Sequence, residues 1–348
     1  MTQIEVNELK TDELAAWDEL VSNSVQGTVF HTSDWLLKTA SSLNQTPVIL
    51  GCYEDQTLVG GCSLLLSNPY KLLKIASSAA LFAPYGGVVV TDIESTKRRE
   101  RELHTDNIIT SIRNYIARER FDHVNLVNSP GFQDIRGFTR NGWDARVYYT
   151  YMLPVHENIF DHISKNARRS IRKAQKLGVT ATEHFDPEIY WKLCVNTFQK
   201  QNSRPPFTKR HLMNMLEMIQ KKDLGEMWVA RTSSGEVAAA EVIVYDSKTA
   251  HRWSAASSEE HLNTGATSLL LGEVIAHLVD RNYPSINLMA GNVVHLSAFI
   301  ASFNPDLIPY YGVEQSRARY SIMSRLSNRI PGVGRRSGRP LREGLDRR

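Results

Sequence analysis

The spacing of hydrophobic and polar positions changes repeatedly along the chain and predicts an ordered series of helices and strands. In the first half, apolar residues recur at helical spacing at 12–21, 33–40 and 97–120. Strands are predicted there at 47–53, 57–66, 86–91 and 121–127. In the second half, helices are predicted at 159–177, 187–200, 209–221 and 264–281. Strands are predicted in this half at 225–231, 236–245, 249–256 and 285–289.

The same order of elements occurs twice: helices, a hairpin, a strand, a helix and a strand. A repeat of this length is far longer than a solenoid repeat and indicates a duplicated domain. The chain of 348 residues is also long enough for two domains that each bury a core. We therefore predict an α/β (α+β) protein with domains at 1–153 and 154–325, each a mixed, mostly antiparallel sheet flanked by helices.

The charge of the chain is divided unevenly between its body and its end. Residues 317–348 contain ten arginines and two acidic residues, whereas the preceding 316 residues carry a net charge of −4. The end is also rich in glycine and proline, so residues 326–348 are expected to form a basic, disordered tail. Such a tail suits anionic membrane or RNA, or it serves only to keep the chain in solution.

Composition excludes several classes of protein. The sequence has no run approaching about 18 uninterrupted apolar residues, and an acidic start with no apolar segment after it does not resemble a signal peptide. We therefore expect a cytoplasmic protein. Three cysteines without paired spacing, Cys52, Cys62 and Cys194, fit a reducing compartment, and the eleven histidines show no ligand spacing that would indicate a metal enzyme.

Five segments, taken in order, resemble the FemAB-like branch of the GNAT superfamily of N-acyltransferases. They are FHTSDW at 30–35, FAPYGGV at 82–88, ISKNARRSIRKAQKLGV at 163–179, LMAGN at 288–292 and FIASFNPDLIPYY at 299–311. The resemblance spans about residues 28–312 and implies tandem GNAT-like domains facing across a cleft. It also implies acyl-CoA or aminoacyl-tRNA as co-substrate, with no tightly bound cofactor, and an amino group as acceptor.

The helix predicted at 159–177 combines an apolar stripe with six cations. Ile159, Ile163, Ala167, Ile171 and Ala174 are spaced by four, four, four and three residues. The cations are Lys165, Arg168, Arg169, Arg172, Lys173 and Lys176. Like charges at three- and four-residue spacing repel each other, so this surface is either fully solvated or binds a polyanion. The resemblance favours binding, and we name Lys165, Arg168, Arg169 and Arg172 as donor-binding candidates.

The segment before the helix at 264–281 has the place of a phosphate-binding loop. A helix N-terminus with a glycine-rich loop presents free N–H groups to a diphosphate, as in simpler GNAT domains. Here the loop offers Thr264 and a single glycine, Gly265, so the usual superfamily pattern is incomplete. The alternative interpretation is that Thr264 caps the helix beside a turn glycine.

Amide formation requires a neutral amine and a group that takes its proton. Glu241, among apolar strand residues, and His251 are the candidate bases of the second domain. Substrate-assisted proton transfer is the alternative. Further candidates for binding the donor or substrate fall in the family-like segments or on the strand at 249–256: Tyr85, Arg252, Trp253, Asn292, Phe303, Tyr310 and Tyr311.

Two functions from different classes follow from these features. The first is transfer of an acyl or aminoacyl group to an amino group of a cell-envelope precursor, a sugar or a small molecule. The second is a non-catalytic tandem module that binds RNA or anionic membrane through the basic helix and tail. The first requires that the central strands of a domain part, because exposed strand backbone can then pair with the amide groups of a donor or peptide.

Overall fold

The computed structural model of the protein describes residues 4–200 and 204–327. In chain order the strands are β1 (Glu5–Glu8), β2 (Thr46–Glu54), β3 (Thr57–Ser67), β4 (Ile75–Ser77), β5 (Gly87–Val90), β6 (His123–Val127), β7 (Asp144–Pro154), β8 (Thr180–Glu183), β9 (Gly225–Arg231), β10 (Val237–Tyr245), β11 (Ala250–Ser257), β12 (Ser285–Met289) and β13 (Asp306–Ser316). The helices are α1 (Leu14–Asn23), α2 (Ser33–Leu43), α3 (Arg98–Glu119), α4 (Arg136–Thr139), α5 (Ile159–His162), α6 (Lys165–Lys176), α7 (Pro187–Lys200), α8 (Lys209–Lys221), α9 (Ala266–Asp280), α10 (Val294–Ala301) and α11 (Ala318–Ser327). Within these described ranges, no helix is both long enough and apolar enough to cross a membrane.

The chain forms two compact units. Unit 1 contains residues up to Tyr148 together with those from Pro309 onward, and unit 2 contains Tyr149–Ile308. Residues 309–325, which we assigned to the C-terminal domain, therefore belong to unit 1. The reason is that β13 pairs antiparallel with β6 over Gly312–Ser316. The predicted tail lies outside the described residues from position 328 onward.

Unit 1 has the strand order β1-β2-β3-β4-β6-β13-β7, with β5 also paired to β3. Both faces of this sheet are covered. On one face, Leu50 and Cys62 pack with the isoleucines of α3. On the other face, Ile49 packs with Trp17 of α1 and Leu36 of α2. The strands β2 and β3 read as nearly continuous apolar runs because a sheet covered on both faces buries successive side chains.

Unit 2 has the strand order β7-β12-β11-β10-β9-β8. Its pairings are antiparallel except for that between β11 and β12. A large apolar cluster of the unit joins β10 and β12 to α6 and α9, with Ile243, Ala174, Leu270 and Leu288 fully buried. The structure confirms the predicted fold class, a mixed and mostly antiparallel sheet flanked by helices.

The predicted helix at 159–177 is interrupted. It consists of α5 and α6, which are separated by Ile163 and Ser164. Ser164 has extended backbone and its hydroxyl accepts a hydrogen bond from the backbone N–H of Ala167 at 3.1 Å, so it caps α6. Most of the apolar stripe is buried, because Ile159, Ile163, Ala167 and Ala174 are all at most 3% exposed, whereas Ile171 is half-buried.

Candidate functional site

In unit 2 the central strands part. The parallel pairing of β11 with β12 covers Ala250 and His251, which face Ile286 and Asn287. From Arg252 onward, β11 pairs with β10 alone among the described strands of unit 2, whereas β12 pairs with β7 on its other side. An edge of β11 is therefore open within a sheet that is otherwise continuous across unit 2.

A β-bulge lies at the point where β11 leaves β12. Val242 faces Ser254, but the next residue of β10, Ile243, faces Arg252, so Trp253 is an extra residue on β11. A bulge of this kind bends its strand and redirects the side chains beside it. It places Arg252 and Trp253 at the beginning of the open edge.

The backbone of Ala255 points toward the open edge. The N–H of Ser258 donates to the carbonyl of Ala238 on the β10 side at 2.8 Å. Because hydrogen-bonded and non-hydrogen-bonded pairs alternate along an antiparallel ladder, Ala256 bonds to β10 and Ala255 does not. The N–H and C=O of Ala255 are thus oriented away from β10, and the residue is exposed.

A buried ion pair lies beneath this edge. The guanidinium of Arg252 donates through Nη2 to Oε1 of Glu241, and the two side chains are 7% and 1% exposed. Burial disfavours the charged guanidinium, but the Glu241 carboxylate outweighs it and raises the pKa of Arg252. The second carboxylate oxygen, Oε2, and Nε of Arg252 are both buried without a hydrogen-bond partner in the described part of the chain. Such a half-satisfied pair is unusual in an apolar core and requires a reason.

Aromatic and hydroxyl groups surround the ion pair. The ring of Phe299 on α10 lies 5.8 Å from the guanidinium carbon of Arg252. On α7, the hydroxyl of Tyr190 donates to Oγ of Ser254 at 2.5 Å, and burial raises the pKa of Tyr190 well above its usual value. Sequence reasoning did not select Tyr190 or Ser254. Tyr190 lies in an ordinary helical pattern, and only the register of β11 brings the two hydroxyls together.

His251, the second candidate base, is placed at the closed end of the strands. It is 1% exposed, and its Nε2 lies 2.8 Å from Oδ2 of Asp246. The other oxygen of Asp246 accepts the backbone N–H groups of Lys248 and Thr249 in the turn before β11. Burial raises the pKa of Asp246, but the hydrogen bond and charge of His251 and the two backbone N–H groups lower it by more. The net effect is a pKa below the usual value for an aspartate. His251 therefore stabilises the turn between β10 and β11 through its contact with Asp246.

The glycine of the predicted donor loop has a packing function in the structure. Gly265 has φ +83°, and a Cβ atom built there would lie 2.3 Å from the carbonyl oxygen of Ser170 on α6. Only glycine allows this backbone conformation and this approach of α9 to α6. The hydroxyl of Thr264 accepts the N–H of Ala266 at 3.2 Å, but Gly265 and not Thr264 occupies the N-cap position of α9, so the capping interpretation is wrong. These contacts show a tight helix–helix junction where we had named donor-binding residues.

The cations of α6 lie on its solvent side. Lys165, Arg169, Arg172, Lys173 and Lys176 are exposed, while Arg168 is half-buried and donates to the carbonyl of Asp161 at 3.4 Å. None of the six forms an ion pair with a described residue. They form seven like-charge pairs at three- and four-residue spacing. At about 0.2–0.5 kcal/mol each, the repulsion weakens the helix by roughly 1.5–3.5 kcal/mol at low salt.

The remaining candidates separate between the two units. Phe303 belongs to unit 2 and is fully buried against Phe299, with ring centroids 5.6 Å apart. Tyr85 and Tyr310 belong to unit 1, where they are at most 9% exposed and their rings meet edge to face at 5.8 Å. In the same unit, the carbonyl of Tyr311 accepts both the backbone and the side-chain N–H of Asn128. These aromatic residues are core or backbone contacts within their own units.

Asn292 belongs to a strained turn at the end of β12. Met289 and Ala290 both have left-handed backbone, with φ 57° and 54°, which is rare for two successive residues with side chains. Gly291 follows, and a Cβ atom there would lie 2.3 Å from the carbonyl oxygen of Tyr149. The side-chain amide of Asn292 accepts the N–H of Tyr149 and donates to its carbonyl, both at 3.0 Å. Asn292 thus fastens this turn to β7.

Comparison with known proteins agrees with this geometry. Residues 162–295 match the family model described as an acetyltransferase (GNAT) domain. The comparison with curated protein sequences gave no match. The match contains β8 to β12, the open edge of β11 and the basic helix α6.

Solved structures share the fold at low sequence identity. The crystal structure of FemX aligns with 11% identity and a TM-score of 0.68, covering 92% of this chain and 99% of that one. L-PGS from Bacillus licheniformis aligns with 12% identity and a TM-score of 0.54 over 94% and 98% of the two chains. A tandem GNAT protein from the clavulanic acid biosynthesis pathway aligns with 11% identity and a TM-score of 0.50 over 90% and 98%. Residues 162–295 of the chain are therefore similar to a GNAT acetyltransferase domain, and the fold of the chain is similar to that of FemX and of a tandem GNAT protein.

Proposed function

We propose that this acyltransferase moves an acyl or aminoacyl group from an activated donor to the amino group of a cell-envelope precursor, a sugar or a small molecule. The donor is an acyl-CoA or an aminoacyl-tRNA. The observation that carries the proposal is the parting of β11 from β12 inside the segment that matches the GNAT family. The resemblance to FemAB-like proteins supports an amine as acceptor.

The open edge of β11 supports binding of an extended donor. The N–H and C=O of Ala255 point away from β10, so they can pair with amide groups of a ligand as an added strand would. Backbone pairing of this kind recognises the extended shape of a ligand and is indifferent to the acyl group that it carries. It therefore suits a donor whose reactive end must reach into the space between the parted strands.

The basic helix α6 supports a donor that carries several phosphates. Its twelve residues rise about 1.5 Å each, so the cations are distributed along roughly 16 Å. Lys165 and Arg168 stand in the first turn, where the helix macrodipole already disfavours positive charge. We propose that phosphates of the donor lie along this face and relieve the repulsion. The phosphates of CoA and the backbone of tRNA both have the required charge.

We propose that the Arg252–Glu241 pair holds the bulge at Trp253 in position for the reaction. Of the two candidate bases, Glu241 lies at the parting and His251 lies at the closed end. The amine must lose a proton as the tetrahedral intermediate collapses, and a carboxylate or a group of the substrate itself can take it. Position 255 lies directly opposite Glu241 in the ladder of β10 and β11. Proline and valine are therefore compared with each other there, because both add carbon atoms beside the pair and only proline removes the N–H.

The test compares Ala255→Pro with Ala255→Val in the full chain. Proline removes the N–H that faces the open edge, whereas valine keeps it, and an edge position tolerates proline better than a central one. We expect Ala255→Val to bind and use the donor and Ala255→Pro to lose both, with similar circular dichroism. Donor binding is measured by calorimetry with acyl-CoAs and charged tRNA, and transfer by mass spectrometry of an amine panel. The proposal fails if the wild-type chain binds neither class of donor.

The alternative is a non-catalytic module that binds RNA or anionic membrane through α6 and the tail. The observation that favours it is the set of six cations on α6, none of which pairs with a described acidic residue. Charge reversal of Arg168, Arg169 and Arg172 discriminates between the two functions. Salt-dependent binding that this reversal abolishes, with no turnover of any amine by the wild-type chain, supports the alternative.

A further inference from the structure

We propose that Thr197 on α7 closes the far end of the open edge of β11 and so limits how much of a donor can pair with that strand. The inference rests on the proposed function, because it concerns the donor that lies on this edge. It makes Thr197 a specificity-determining residue for the transfer.

The backbone of Ser257 faces the open side of β11. Ser257 lies opposite Ala239, one position before Ser258, whose N–H donates to the carbonyl of Ala238 on β10 at 2.8 Å. Because the two kinds of pair alternate along an antiparallel ladder, the N–H and C=O of Ser257 point away from β10, as those of Ala255 do. The open edge therefore presents the backbone of two residues, which are separated by about 7 Å along the strand.

The carbonyl of Ser257 is already in contact with α7. The hydroxyl oxygen of Thr197 lies 3.2 Å from this carbonyl oxygen and 2.9 Å from the carbonyl oxygen of Leu193, one turn earlier in α7. A threonine within a helix often donates to the carbonyl four residues before it, so the contact with Leu193 is local. The contact with Ser257 is not local, and it brings the side chain of Thr197 to the place where a ligand N–H would approach β11.

A second hydrogen bond holds α7 against the same stretch of β11. The hydroxyl of Tyr190, which is fully buried, donates to Oγ of Ser254 at 2.5 Å. Tyr190 and Thr197 are seven residues apart, about two turns and 10 Å along one face of a helix. Ser254 and Ser257 are three residues apart, also about 10 Å along a strand. The spacings match, so Tyr190 fixes the position of Thr197 relative to the open edge.

The direction of the edge determines which part of a donor meets Thr197. The parting begins at the bulge around Trp253, and Ala255 and then Ser257 follow along β11. Further along the chain, Gly265 lies against the carbonyl of Ser170 on the basic helix α6. A donor whose phosphates lie on α6 therefore passes Ser257 before Ala255, with its reactive end at the bulge.

The two carbonyls of the edge thus differ in what they offer to a ligand. The carbonyl of Ala255 faces the open side at an exposed position and can accept an N–H group of the donor. The carbonyl of Ser257 is covered by Thr197, so a second N–H group, further from the reactive end, finds no acceptor there. Strand pairing consequently recognises the first amide of a donor, next to the group that is transferred, and gains little from a second amide.

The experiment compares two thioester donors with the full chain. Both carry the acyl group that the wild-type chain transfers from acyl-CoA, one on N-acetylcysteamine, which has one amide, and the other on pantetheine, which has two. The measured quantity is the ratio of kcat/KM for the pantetheine thioester to kcat/KM for the N-acetylcysteamine thioester. Thr197→Ala exposes the carbonyl of Ser257, so we expect it to raise this ratio about threefold to tenfold, as one further hydrogen bond would.

The matched control is Thr197→Ser, which keeps the hydroxyl and should leave the ratio within about twofold of the wild-type value. A variant that is partly unfolded lowers kcat/KM for both donors alike, so the loss cancels in the ratio. Circular dichroism melting checks the folding of each variant.

Two results would overturn the proposal. One is a ratio in Thr197→Ala that equals the wild-type ratio, which would show that Thr197 only packs α7 against β11. The other is a wild-type chain that uses no thioester donor. Transfer from charged tRNA in that case leaves the proposed function standing, whereas transfer from neither class of donor refutes the proposed function as well.

Discussion

The buried ion pair between Arg252 and Glu241 makes unit 2 sensitive to the loss of either partner. Removing one partner of a buried pair costs about 3–5 kcal/mol, because the other charge is left in an apolar surrounding. In this core the cost should be near the upper part of that range. Oε2 of Glu241 and Nε of Arg252 already have no hydrogen-bond partner among the described residues, so no neighbouring group is available to compensate. We expect Arg252→Met to destabilise unit 2 by about 4–5 kcal/mol.

Replacing both partners should restore most of the stability. A well-packed apolar pair of similar volume is often as stable as a buried ion pair or more so. We therefore expect Glu241→Leu/Arg252→Met to unfold within about 1 kcal/mol of the wild-type chain or to exceed it. Hydrogen–deuterium exchange of the amides in β10 and β11 at increasing urea is the appropriate assay. It reports on unit 2 alone, whereas a chain of two units need not unfold in one step.

An exposed ion pair in the same unit provides the control. Lys221 and Glu217 on α8 lie 2.7 Å apart with side chains that are 72% and 52% exposed. Lys221→Met should change stability by less than about 0.5 kcal/mol, because solvent screens an exposed pair of this spacing. The reasoning is refuted if Arg252→Met costs no more than this control, or if the double variant is as unstable as the single one.

Three further outcomes follow from the structure. Gly265→Ala should destabilise unit 2 by about 2–4 kcal/mol, because it combines left-handed backbone with a clash against the carbonyl of Ser170. The control is Gly235→Ala, where φ is +85° and no atom lies within 4 Å of the new Cβ. It should cost only about 1 kcal/mol in the same urea titration. Asp246→Asn should cost about 1–2 kcal/mol at pH 7. The pKa of Asp246 in the folded chain lies below its usual value of 3.8. The extra stability of the wild-type chain over Asp246→Asn is therefore complete above pH 3.8 and is lost as pH falls through the folded pKa. Unfolding measured from about pH 7 to pH 3 tests this loss. Native mass spectrometry should find one donor molecule per chain, and two would contradict the assignment of the donor to unit 2.

The sequence predicted best those elements whose pattern ends sharply. The observed limits of α7, α8, β9 and β12 coincide with the predicted ones, because each combines a clear period with breaking residues at its ends. Five strands were not predicted: β1, β4, β7, β8 and β13. The pattern of β8 is largely polar, and β4 has only three residues, so neither shows the alternation that identifies a strand.

The candidate site was predicted as residues and not as an arrangement. Glu241 and Arg252 were both named, but their pairing depends on the register of β10 and β11 and on the bulge at Trp253, which no spacing in the sequence encodes. The same limit applies to Gly265. A glycine before a helix is compatible with a phosphate loop, and only the contact with Ser170 reveals that it serves helix packing.

The two units have the same order of elements but differ at the place where the central parallel strands part. In unit 1, β4 pairs in parallel with β6, and the ladder continues beyond it, because Ser78 donates to the carbonyl of Asn125 and Gly86 to that of Val127. The amide of Asn128 then accepts the N–H of Val88 at 3.0 Å. Unpaired strand backbone is costly, so a fold that has no ligand for this edge gains by closing it with its own chain. Unit 2 leaves β11 without a second partner among the described strands from the bulge at Trp253 to Ala256, and at Ser257 the hydroxyl of Thr197 on α7 donates to the backbone carbonyl at 3.2 Å. The contrast within one chain is the strongest reason to place the donor in unit 2.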